Sequence, residues 1–253
     1  MCIRDRGYVA VWVRSGQGPV ARLLSTAGEP LGQPLLLSDS GGPYARNPAV
    51  TVLDDGRLVA AWDVKPAPEA APTLAGRLLD ESARPTGRSL RFDHSPAGGD
   101  WDPCLAPAPR GGFVMVWTGN EGPESDCLAR FYDAQGRGVG EPLALGTRVG
   151  RQLHPQVVRL RDGSWAATWQ DDLSGRLHGH LRRITGAYEE AELGPVVSLG
   201  QRESLYLEDR KTPDLAPLGD GVLGVWDDCR RMRGHDVWVR ILGPAFDVGL
   251  ELD

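Results

Sequence analysis

The chain has 253 residues, including 33 glycines and 20 prolines, and a formal net charge of −6. That charge argues against nucleic acid as a partner, which needs a basic surface, and no apolar run approaches the ~18–20 residues of a membrane-spanning helix. Four cysteines are too few for a disulfide scaffold, whereas abundant Gly and Pro suit many short strands joined by turns.

Residues 1–6 match nothing downstream. They are too short and too charged for a signal peptide, and they are similar to a peptide translated from sequencing-library adapter DNA. They are read as a non-native leader. From Gly7 onward the chain repeats. A glycine-led apolar stretch ending in tryptophan occurs at 7–12, 56–62, 111–117, 163–169 and 221–226. Trp12, Trp62, Trp117, Trp169 and Trp226 are therefore 50, 55, 52 and 57 residues apart. Pro48, Pro103, Pro155 and Pro213 precede the last four by 14, 14, 14 and 13 residues. Arg22, Arg77, Arg130, Arg182 and Arg240 follow their tryptophans, and Gly32, Gly87 and Gly140 each come ten residues after their arginine. A period near fifty residues points to propellers or related arrays.

Each full copy reads as four strands. Strand a follows the proline, at 49–53, 104–108, 156–160 and 215–218. An Asp/Gly turn of the kind used in two-residue hairpins leads to strand b, the tryptophan stretch. Strand b is apolar on both faces, as expected when a sheet is covered on both sides. Strand c carries the arginine, and strand d is outermost. The expected fold is all-β: a β-propeller of about five four-stranded antiparallel blades, near 7–38, 44–92, 100–146, 152–199 and 210–253, in one domain. A solenoid is the rival, but four antiparallel strands per copy suit a radial blade better. The first copy lacks strand a, so the chain is expected to be a fragment, with further blades or domains of the same chain missing. Cys104 and Cys127 fall in the third copy with strand b between them, an awkward geometry for a bridge.

Residues present in every copy are assigned to the blade: the five tryptophans pack, and the five arginines pair with a turn carboxylate or strand carbonyl. Site candidates are polar residues that depart from the repeat at one rim, since loops on rigid scaffolds carry function. The segment before each proline offers Arg46, Asp100, Trp101, Asp102, Arg148, Arg151, His154, Arg210 and Lys211. The segment after each tryptophan offers Asp63, Asp126, Asp171, Asp172, Asp227 and Asp228. One reading is a solvated rim with ion pairs of little worth. The other is a site for a sugar or acidic ligand, with Trp101 as a stacking platform and arginines as carboxylate clamps. Paired carboxylates would suit glycoside cleavage. His178 and His180 share a strand face and with Asp126 or Asp236 form a candidate metal set, though ordinary polar residues are the favoured reading. No metal site or cofactor is expected, calcium at Asp171-Asp172 or Asp227-Asp228 being the one ion those carboxylates could hold.

Gly111 to Trp117 and the stretch Arg130-Phe131-Tyr132-Asp133-Ala134-Gln135-Gly136 resemble tandem repeats of bacterial cell-surface and secreted proteins. That resemblance implies an exported protein at the cell surface, in the periplasm or outside the cell. Arg46-Asn47-Pro48-Ala49-Val50, leading to Asp55-Gly56 and Trp62, is similar to the blade opening of sialidases, although no Asp-box is present and Asn47 stands where those enzymes have isoleucine. The resulting expectation is a non-catalytic propeller module for protein or glycan interaction. The alternative is a sialidase-like or related propeller glycoside hydrolase using the arginine and carboxylate rim. An enzyme would need an acid pair and a cation cluster converging on one axial pocket.

Overall fold

The computed structural model describes residues 2–3, 7–39, 44–92, 99–119, 125–146, 150–173, 176–199, 213–228, 236–244, 246 and 251–252. They form five successive four-stranded antiparallel sheets. The first comprises β1 (Cys2–Ile3), β2 (Gly7–Arg14), β3 (Gly18–Leu24) and β4 (Pro30–Leu36). The second comprises β5 (Ala45–Val52), β6 (Leu58–Val64), β7 (Thr73–Leu79) and β8 (Pro85–Arg91). The third comprises β9 (Trp101–Pro107), β10 (Phe113–Gly119), β11 (Asp126–Tyr132) and β12 (Gly138–Ala144). The fourth comprises β13 (Arg151–Arg159), β14 (Trp165–Leu173), β15 (Arg176–Thr185) and β16 (Glu192–Ser198). The fifth comprises β17 (Asp214–Leu218), β18 (Gly221–Asp228), β19 (Asp236–Leu242) and β20 (Glu251–Leu252). Each sheet is ordered as the chain runs, and β5, β9, β13 and β17 lie side by side as innermost strands. Packing between the first and fifth sheets, which would close a ring, is not seen among the described residues.

The core is layered between sheets. Phe113, Met115 and Trp117 of β10 bury against Leu53, Val59 and Ala61 of the second sheet, while Val114 and Val116 bury against Val157 and Trp165 of the fourth. Alternation sends successive side chains to opposite faces; here both faces are dry, so every residue of β10 is buried. Ala60 and Ala61, like Ala166 and Ala167, let neighbouring sheets approach closely. Trp62, Trp117 and Trp169 each fill the layer toward the preceding sheet and are 2%, 0% and 2% exposed. Trp12 has no preceding sheet among the described residues and is only partly buried, as is Trp226. Truncating a buried indole such as Trp117 costs about 3–5 kcal/mol.

Three of the five repeated arginines join one sheet to the next. Arg182 Nη1 donates to Leu145 O (2.8 Å), and Arg240 Nη1 donates to Leu199 O (2.9 Å) and Ser198 O (3.1 Å). Arg77 instead donates to Asp39, just past β4, and to Ser89 Oγ. Leu145, Ser198, Leu199 and Asp39 lie at or just after the outer strand of the preceding sheet, whereas Ser89 lies on the outer strand of Arg77's own sheet. Arg22, Arg77 and Arg130 each face a break in the pairing with strand d, where three residues oppose one. Gly32, Gly87 and Gly140 open those breaks at φ of 67°, 66° and 68°, a left-handed conformation that favours glycine. The glycine ten residues after the arginine is thus explained by the bulge.

Three expectations are corrected. Cys2–Ile3 pairs with Gly7 and Tyr8 and occupies the place of strand a in the first sheet, so part of the supposed leader joins a blade. The turns at 54–56 and 161–163 are three-residue loops: Leu53 N–H donates to Arg57 O and Gly56 N–H to Leu53 O, with Gly56 at φ 89°. The left-handed residue is therefore needed only at the third position. Finally, β5, β9 and β13 begin before their prolines, not after. An innermost strand pairs on one side only, so a proline without an N–H is tolerated there. Cys104 and Cys127 are free, with β10 between their strands. Burial pushes the Cys104 thiol up to about 11 and raises that of Cys127 too.

Candidate active site

The early start of strand a creates the site. In β5 the ladder passes from Arg46↔Asp63 to Ala49↔Ala61, so Asn47 and Pro48 together oppose Trp62. Asp102 and Pro103 oppose Trp117, and His154 and Pro155 oppose Trp169, in the same way. Each is a bulge with one extra residue, a device that re-aims a side chain. The pre-proline residue takes the strain: Asn47, Asp102 and His154 have φ of 46°, 57° and 53°. Non-glycine residues are uncommon there, with Asn, Asp and His the tolerated types. Three adjacent blades thus project one polar side chain each, from equivalent positions, toward a common axis.

These side chains meet in a cavity of about 530 Å³. Its wall includes Arg46, Asn47, Asp63 and Lys65 from the second sheet and Trp101 and Asp102 from the third. Arg151, His154 and Gln156 come from the fourth. Asp63 Oδ1 accepts from Asn47 Nδ2 (2.8 Å) and from the Asp102 backbone N–H (3.2 Å). The Asp63 residue is only 3% exposed. Burial raises its pKa above the usual carboxylate value, the nearby Asp102 charge adds to this, and the two hydrogen bonds and the Arg46 charge oppose it. His154 Nδ1 lies 2.5 Å from Asp102 Oδ2, and the Trp101 ring stands edge-on to His154 with centroids 5.5 Å apart. Among the described residues, Arg46 and Arg151 have no ion-pair partner.

At the other end of the innermost strands, side chains bridge the sheets. Arg159, the last residue of β13, donates to both carboxylate oxygens of Asp54 (2.8 and 2.9 Å), bridging the fourth sheet to the second. Arg57 Nη1 reaches Ala134 O in the third (3.1 Å).

Of the residues singled out from sequence, Arg46, Asp63, Trp101, Asp102, Arg151 and His154 come together here. Asp100 does not: it is 1% exposed and accepts the Trp117 indole N–H at 3.2 Å. Asp171 is buried beside His180 (2.6 Å), without hydrogen-bond alignment, and is not part of the wall. The backbone of Asp172 lies opposite Arg151, and Asp227 and Asp228 end β18. Arg148, Arg210 and Lys211 lie outside the described residues. Asn47 and Lys65 were missed. The polar residue before each proline was the available signal for Asn47. Among the described residues no group of three or more His, Cys, Asp or Glu side chains is placed to hold a metal ion; the side chain of Asp236, one candidate beside His178 and His180, lies outside them.

No family model and no curated protein matches the sequence. Solved structures do match. A protein of unknown function from Dyadobacter fermentans aligns over 93% of this chain and 70% of its own, with TM-score 0.63 and 12% identity. The Hadza microbial sialidase Hz136 aligns over 93% of this chain and 53% of its own, with TM-score 0.58 and 14% identity. An α-L-arabinofuranosidase from Clostridium thermocellum aligns over 99% and 95%, with TM-score 0.53 and 11% identity. The chain thus spans about half of the sialidase and nearly all of the arabinofuranosidase. At such identities the likeness is one of fold alone, that of a β-propeller.

Proposed function

We propose that this chain is a propeller glycoside hydrolase acting on a glycan that carries a carboxylate, in preference to a non-catalytic interaction module. The observation that carries the reading is convergence: two carboxylates, Asp63 and Asp102, and three cations, Arg46, Lys65 and Arg151, line one axial cavity. A module serving only as scaffold has no need of that grouping. The glycoside hydrolase and sialidase neighbours in fold support it.

In this scheme Arg46 and Arg151 hold the sugar carboxylate through charge-assisted hydrogen bonds. Trp101 offers an apolar face to the ring. Asp63 is the general base. Its Oδ1 is occupied by Asn47 and the Asp102 N–H, which leaves Oδ2 to take a proton from water. Burial makes the carboxylate a stronger base than an exposed one, the usual way such groups are tuned. We place the protein outside the cell, where polymeric acidic glycans are met.

The test is turnover and binding measured together. Purified protein is offered 4-nitrophenyl and 4-methylumbelliferyl glycosides of glucuronic acid and N-acetylneuraminic acid, and is screened on a glycan array. Release of the aryl alcohol by wild type, abolished in Asp63→Asn, supports the enzyme. Array binding to acidic glycans without release would return the chain to the interaction-module reading.

A further inference from the structure

Breaking a glycosidic bond leaves an alkoxide that must be protonated, and the cavity contains a group placed for that task. His154 and Asp102 side chains are each 19% exposed, and Nδ1 to Oδ2 is 2.5 Å. The other ring nitrogen, Nε2, makes no hydrogen bond among the described residues. The ring is held on two sides, by the carboxylate at Nδ1 and by the edge-on Trp101 indole. Both residues of the pair sit on strained pre-proline bulges of adjacent blades. Strain of that kind costs of order 1–3 kcal/mol per residue and persists where a geometry is over-determined. An ion pair on a solvated rim needs no such backbone.

We propose that His154 is the proton donor to the leaving oxygen and that Asp102 is its positioning residue; this rests on the hydrolase reading. Water oxygen attacks the anomeric carbon as its proton passes to Asp63 Oδ2. The carbon–oxygen bond to the leaving group breaks, and that oxygen takes the proton from His154 Nε2. One water is consumed and two hydroxyl products form. Solvent then returns a proton to His154 and removes one from Asp63. The Asp102 carboxylate at Nδ1 compensates the ring charge while both nitrogens carry protons, and it fixes which nitrogen faces the substrate. The other charged groups around the ring are Asp63 and Lys65 from the second sheet, Arg46 on β5 and Arg151 on its own strand.

Dependence on the leaving group tests the assignment, since a good leaving group departs without a proton. Wild type, His154→Asn and Asp102→Asn are compared on methyl and 2,4-dinitrophenyl glycosides of glucuronic acid and N-acetylneuraminic acid. Asparagine tolerates the left-handed backbone, so both variants keep the bulge. His154→Asn should slow the methyl glycoside by about 10²–10⁴-fold and the dinitrophenyl glycoside by less than about tenfold. Asp102→Asn should show the same asymmetry in weaker form, and should lose the low-field Nδ1–H resonance of His154 in proton NMR. Equal slowing on both leaving groups, or an unchanged Nδ1–H resonance in Asp102→Asn, overturns the proposal while the hydrolase stands. If wild type cleaves none of the probes, the hydrolase reading has failed and the donor role falls with it.

Discussion

The two ends of the axis are built from the same residue types and use them differently. At the turn end, every arginine named has found a protein partner: Arg159 holds Asp54, Arg57 holds Asp55, and Arg183 holds Asp162. At the rim, Arg46 and Arg151 have no ion-pair partner among the described residues. Asp63 there is buried with its pKa raised, whereas Asp55 and Asp162 have theirs lowered, burial working against the bonds in each. For Asp55 burial is the largest cause, and its hydrogen bonds and ion pair with Arg57 together outweigh it. For Asp162 the hydrogen bond from Ser164 leads. Composition therefore does not separate scaffold from site. The arginines differ: the three at the turn end are paired within the chain, whereas Arg46 and Arg151 at the rim are not, although the rim also holds the Asp102–His154 pair.

The largest break in that comparison should come from Asp63→Asn. The amide keeps the acceptor for Asn47 and the Asp102 N–H and removes only the base. Turnover of an acidic aryl glycoside should fall by about 10²–10⁴-fold, with no loss of stability at neutral pH. A variant that retains more than a tenth of wild-type kcat would show that Asp63 is not the base. Next come the open cations. Arg46→Ala and Arg151→Ala should each weaken binding of free glucuronic or N-acetylneuraminic acid by about tenfold to a hundredfold, the worth of a hydrogen bond to a charged group. Calorimetry with the neutral analogue, glucose, should show no such loss. At the turn end, Arg159→Ala should leave ligand binding alone and cost less than about 1 kcal/mol in urea unfolding, as for other partly exposed pairs.

The pH dependence of Asp63 sharpens the same contrast. Its folded pKa is raised, mainly by burial. The proton therefore stabilises the native state: that contribution is fully present below the unfolded value and is lost as pH rises through the folded one. Asp63→Asn should gain stability over wild type on passing from pH 3 to pH 7. The acidic limb of wild-type kcat should lie above the ordinary carboxylate range. Urea midpoints for the two proteins that run parallel across this window would contradict the assignment.

Much of the scaffold was readable because it repeats. Trp62, Trp117 and Trp169 mark the layers, and Pro48, Pro103 and Pro155 mark the inner strand in register with them. What did not show was where that strand begins. A residue before proline is normally pushed toward extended backbone, and the sequence places strand a only after each proline; the bulge puts Asn47, Asp102 and His154 in strands with left-handed φ. Asp100 was misplaced for another reason. Its partner, the Trp117 indole N–H, is brought to it only by the fold, and a buried indole needs an acceptor. The Asp102–His154 and Asp63–Asn47 pairs join segments 52 and 16 residues apart. No local pattern announces such pairs, although alignment on the prolines would have put Asn47, Asp102 and His154 in one column.

The smallest expected effect belongs to a satisfied charge. Asp39, just past β4, accepts from Arg77 and from the Ser89 side chain (2.7 Å) and backbone N–H (3.0 Å) of the next sheet. The Arg77 bond is the main cause of a pKa lowered to about 2. A depressed folded pKa contributes stability above the unfolded value, 3.8, that is lost as pH falls through about 2. Asp39→Asn should thus lower the urea midpoint slightly at pH 5–7, with the gap to wild type closing between pH 3.8 and 2. Salt should narrow it as well, because the Asp39 side of the pair is exposed. Glycoside turnover should not change, since Asp39 links outer strands and not the rim. Were turnover to fall with Asp39→Asn, a pair between outer strands would be shaping the pocket too, and the rim would not be separable from the sheets that carry it.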